Sequence, residues 1–97
     1  MIFVILMKFT DQGIRDVKDT VERAKSFKET AELKFGIEIK EIYWTLGEYD
    51  IVVIADAPDE ETVTSLLFSL NALGNVRTQS MRAFTAEEMS GILAKMS

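Results

Sequence analysis

The chain has 97 residues, enough for one domain spanning 1–97, and a domain of that size buries only about 60–65% of its unfolded surface. With 16 acidic against 11 basic residues the formal net charge is −5, which favours solubility and argues against a nucleic-acid backbone as the main partner. Cysteine and histidine are both absent, so disulfides, thiol nucleophiles, the familiar hydrolase triads and the usual zinc ligands are excluded.

Met1–Phe9 reads as a strand with two apolar faces: Phe3, Ile5, Met7 and Phe9 on one, Ile2, Val4 and Leu6 on the other. The run is too short to span a membrane and lacks a basic leader or cleavage site. Thr10 or Asp11 caps a long helix whose apolar positions Ile14, Val17, Val21, Ala24, Ala31 and Phe35 recur at helical spacing. Gly36 is placed to stop it through a left-handed residue. Ile37–Leu46 reads as a second strand. Its parity changes between Ile37/Ile39 and Ile42/Trp44/Leu46, which predicts a bulge near Lys40–Glu41.

Gly47-Glu48-Tyr49-Asp50 turns the chain into a third strand, Ile51–Ala57, again apolar on both sides. Pro58 ends it, and Asp59, Glu60 and Glu61 sit where a helix dipole favours acids. Val63, Leu66, Leu67, Leu70 and Leu73 form the stripe of a second helix, closed by Gly74. Val76–Phe84 is a strand of polar complexion (Arg77, Thr78, Gln79, Ser80, Arg82), which predicts an edge position. Thr85 and Glu88 form a capping box for a short last helix, with Met89, Ile92, Leu93 and Met96 expected inward.

The order is β-α-β-β-α-β with a terminal helix: an α+β, ferredoxin-like unit with a four-stranded antiparallel sheet. Right-handed crossovers put both long helices on one side. The other side keeps apolar residues of the first and third strands, and a second copy is the most economical cover. About 800 Å² of apolar surface there corresponds to a transfer term of about 20 kcal/mol before the costs of association. The expected assembly is a homodimer or a higher even-numbered homo-oligomer, with two sheets face to face as a dimeric α+β barrel. The last helix either covers part of that face or swaps onto a neighbour.

Candidate site residues have competing readings. Gly47 and Asp50 suit a tight turn, which needs a permissive backbone and a side chain that bonds nearby amides. Tyr49 packs over the sheet edge, or points its hydroxyl into a pocket or across a dimer seam. Trp44 shares a face with Ile42 and Leu46 and reads as core or interface. Arg77 and Arg82 fall on opposite faces. Each pairs with Glu48, Asp50 or Glu41 of a neighbour, or one of them enters the barrel mouth and holds a carboxylate or phosphate. Asp56 at a strand end reaches solvent or caps a helix; buried, it would have a raised pKa. Gly13 reads as a close approach of helix to sheet, because no dinucleotide or P-loop pattern surrounds it. No metal or cofactor is expected, since the acidic run at Asp59 lacks the alternating oxygen ligands of a calcium loop.

Gly47-Glu48-Tyr49-Asp50 carries a resemblance, supported by Phe9-Thr10-Asp11-Gln12-Gly13-Ile14, Ala57-Pro58-Asp59, Leu73-Gly74-Asn75-Val76-Arg77-Thr78 and Met81-Arg82-Ala83-Phe84-Thr85. Over almost its whole length the chain resembles the GYD-domain family of small bacterial and archaeal proteins. That resemblance implies the dimeric α+β-barrel group and a prokaryotic source, but no particular reaction, and the lack of cysteine fits a cytoplasmic setting. The leading expectation is a non-catalytic homo-oligomeric module that binds a small organic ligand or serves a structural role, with no nucleic-acid or membrane partner. The alternative is a cofactor-independent oxygenase or isomerase that polarises its substrate with Tyr49, Asp50 or an arginine.

Overall fold

Strands form wherever β-branched and aromatic residues alternate along this chain, and the two helical crossovers fall between them. The computed structural model describes residues 1–96. In chain order it holds β1 (Ile2–Phe9), α1 (Asp11–Arg15), a 3-10 turn (Val17–Asp19), α2 (Thr20–Phe35), β2 (Glu38–Trp44), β3 (Ile51–Asp56), α3 (Glu60–Ala72), β4 (Val76–Ala83) and α4 (Ala86–Leu93). The sheet is antiparallel throughout, with strand order β2-β3-β1-β4. It is open. The barrel expected from the sequence is therefore not what forms: β2 and β4 each pair on one side only, so the sheet keeps two free edges and does not close.

One face of the sheet and the inner sides of α2 and α3 make the core. Phe3, Ile5 and Met7 of β1 lie beside Ile51, Val53 and Ala55 of β3, under Phe27, Ala31, Val63, Leu66 and Leu67. Burying a side chain such as Ile5 contributes about 1.5–3 kcal/mol. A shift of register between Ile39 and Glu41 is the bulge expected near Lys40. It brings Ile39 and Ile42 to the same core despite their odd spacing. Gly36 and Gly74, at φ 65° and 87°, end α2 and follow α3 in the left-handed region. Gly47 has no such φ and stands in open space, so its turn does not require glycine.

Three further sequence expectations need correction. The long first helix is broken: α1 ends at Arg15 and the chain passes through the 3-10 turn before α2 begins. Gly13 is held against the backbone at Asn75, which fixes the direction of α1, whereas α2 must lie across the sheet. Arg23 occupies carbonyls freed at the break, donating to Asp16 O at 2.7 Å and Gly13 O at 3.2 Å. Consequently Ile14, Val17 and Val21 are exposed, and Phe27, outside the expected stripe, is buried in their stead. The second strand stops at Trp44, leaving Leu46 fully exposed.

The third correction concerns α4. Its capping box forms as expected, but Met89, Ile92, Leu93 and Met96 all face solvent. Arg82 ties the helix start down through Glu88 Oε2 at 3.5 Å and stacks 4.5 Å from the Phe84 ring, and beyond this clamp α4 stands off the body. The radius of gyration, 14.7 Å, accordingly exceeds the about 12.5 Å of a compact chain of this length. No helix among the described residues is long and apolar enough to cross a membrane.

Candidate functional site

Residues opposite one another in an antiparallel sheet share a face, so the strand register defines what the uncovered side presents. Val4 lies opposite Ile54 and Met81, and Leu6 lies opposite Val52 and Gln79. Tyr43 of β2 lies opposite Val52. The result is a half-buried aliphatic centre across which no helix among the described residues packs extensively.

The Gly47–Asp50 turn closes one end of this face with polar groups. The Tyr49 hydroxyl donates to Gln79 Oε1 at 2.7 Å, and Lys8 Nζ sits 5.5 Å from the Tyr49 ring centre and 4.0 Å from Glu48 Oε1. Arg77 lies opposite Lys8 and is exposed. Glu48, Tyr49 and Arg77 therefore gather at one end, joined by Lys8 and Gln79. Sequence reasoning passed over those last two, although Lys8 shares the Val4/Leu6 parity.

Asp50 has a different task. Its carboxylate accepts the Phe9 amide at 2.8 Å, its own amide donates to Met7 O at 2.8 Å, and its carbonyl accepts from Thr45 N at 2.8 Å. The turn is laced to β1 through this one residue. Asp50→Ala is expected to lower stability by about 1–2 kcal/mol, because the Phe9 amide loses a charged acceptor. Tyr49→Phe should stay within about 0.5 kcal/mol of wild type, since its bond is near the surface. Urea unfolding of the two variants checks both values.

The remaining candidates lie elsewhere. Trp44 is on the helix side, where its indole donates to Thr20 Oγ1 at 3.0 Å. Arg82 also faces the helix layer, opposite Phe3, and serves the α4 clamp. The Thr85 amide, followed by Thr85 hydroxyl and Arg82 contacts, holds the Glu88 carboxyl below its ordinary pKa. Asp56 bonds the Met1 ammonium at 3.0 Å, which lowers its pKa, so it is no buried acid awaiting a proton.

A second feature lies on the helix side and had no sequence signal: a half-open cleft of about 450 Å³ between α2, α3 and the sheet. Its floor is Met7, Ile51 and Val53, and Phe27 and Leu66 rise on either wall.

The GYD domain profile matches residues 3–93. A Thermus thermophilus protein described as a glutamine synthetase and cystathionine beta-lyase binding protein is similar to this chain. The two are 30% identical over 87 residues, which cover 90% of this chain and 92% of that protein.

Proposed function

The chain belongs to the GYD domain family, and from that premise we propose that it is a non-catalytic, self-associating module that docks onto an enzyme of amino-acid metabolism. The observation that carries this reading is the aliphatic sheet face around Val4, Leu6, Val52 and Ile54, across which no helix among the described residues packs extensively. A contiguous apolar surface rimmed by polar groups suits a protein contact. Here the rim is Lys8, Glu48, Tyr49 and Gln79. Two copies meeting on this face as open sheets, without closing a barrel, make a homodimer, the simplest member of an even-numbered series. The α4 arms, with Met89, Ile92 and Leu93 outward, remain free for the enzyme partner.

The partner class follows from the Thermus relative, whose name gives glutamine synthetase and cystathionine beta-lyase as what it binds. The oxygenase or isomerase alternative needs a base and an acid facing one chamber. Against it, the Asp50 carboxylate is occupied by the Phe9 amide, and the Tyr49 hydroxyl already donates to Gln79. The test combines sedimentation of the purified chain with biolayer interferometry against glutamine synthetase and cystathionine beta-lyase from the same organism. An even-numbered oligomer that binds either enzyme saturably is expected. A monomer, or an oligomer blind to both enzymes, would overturn the reading.

A further inference from the structure

We propose that the cleft between α2, α3 and the sheet binds a small, uncharged, mainly apolar molecule carrying a single hydrogen-bonding head. The volume, about 450 Å³, falls within the range of ligand sites, whereas interiors of small domains are otherwise packed to near-crystalline density. Three ties hold the space open. Arg23 pins the start of α2 to the carbonyls of Asp16 and Gly13, and Trp44 holds Thr20 over the β2 edge. Across the gap, Asn71 fixes the end of α3 to Thr78 Oγ1 at 2.9 Å. Each tie sets one helix end against a neighbour other than the facing helix.

The lining decides the ligand class. Phe9, Ala24, Ile42, Leu70 and Leu73 offer partly exposed aliphatic and aromatic surface over a buried base of Met7, Phe27 and Leu66, and the Met7 thioether adapts to irregular shapes. The mouth carries hydroxyls from Ser26, Thr30 and Ser69, which donate to or accept from a neutral head. Asp19 and Glu22 also line the rim, and Arg23, the sole cation there, already donates to two carbonyls. An anionic head would meet two carboxylates and no free counter-charge, so a fatty acid is disfavoured against the alcohol of equal length.

Amide chemical shifts of the full chain, titrated with n-octanol and separately with n-octanoate, test this independently of the oligomeric state. Octanol is expected to saturate, with shifts at Met7, Phe27, Val53 and Leu66, and to bind at least about tenfold tighter than octanoate. Two fillers from opposite walls, Ala24→Phe and Ser69→Leu, should each weaken octanol binding by about tenfold, so that a folding failure in one leaves the other. Equal affinity for the two probes would overturn the proposal. So would shifts centred on Val4, Leu6 and Ile54, fillers that bind octanol as wild type does, or no saturable binding at all.

Discussion

Gly13→Ala is expected to destabilise the protein by about 3 kcal/mol, although alanine in an ordinary helix is worth about 1 kcal/mol more than glycine. The sign is inverted by one contact. A Cβ built at Gly13 would lie 1.9 Å from the backbone oxygen of Asn75, less than any real packing distance. That oxygen is not free to move, because it accepts the Thr10 amide at 3.1 Å. The Thr10 hydroxyl in turn accepts the Gly13 amide at 3.1 Å and donates to Gly74 O. Gln12 adds bonds to Leu73 O at 3.1 Å and Asn75 Oδ1 at 2.9 Å. Relief would require shifting the whole staple that joins α1 to the start of β4.

Gly91 supplies the control for this substitution. It lies in α4 with nothing within 4 Å of a would-be Cβ, so Gly91→Ala should be neutral or stabilising by up to about 1 kcal/mol. Urea midpoints of the two alanine variants, moving in opposite directions, are the expected result. A Gly13→Ala protein as stable as wild type would mean that α1 does not dock where it is described.

This close approach was legible in the sequence because a glycine in a first helical turn has few other reasons to be there. The bulge at Lys40, the capping box at Thr85 and Glu88, and the edge placement of β4 were legible for the same kind of reason. Each is a local chemical pattern with one cheap backbone solution. The break at Asp16 was not legible, because Ile14, Val17 and Val21 satisfy helical spacing whether or not they are buried. The break accompanies a contact distant in sequence, between Gly13 and Asn75. Tyr49 stood out in the sequence because turn chemistry does not demand an aromatic. Its companions Lys8 and Gln79 depend on the β1–β4 register, which no local window contains. The open sheet also follows from pairing rather than composition: two apolar strand faces announce that cover is needed without saying in what form.

Val4→Glu is expected to weaken the proposed self-association by about a thousandfold while leaving the chain folded, with a stability loss of about 1 kcal/mol. Val4 sits on a central strand, with Ile54 on one side and Met81 on the other, and neither neighbour offers a positive charge. In the isolated chain the new carboxylate stands at a solvent-facing surface and retains water. In a two-fold assembly joined through this face, both copies must be desolvated together. At about 2 kcal/mol each, they remove about three decades of affinity. Burial also raises the pKa of the introduced acid in the assembled form above its free value, so association should recover as pH falls through that range. Sedimentation velocity at neutral and acid pH reads both effects in one series. A Val4→Glu protein that sediments with wild type at neutral pH would move the contact off this face, leaving α4, with Met89, Ile92 and Leu93 outward, as the next surface to charge.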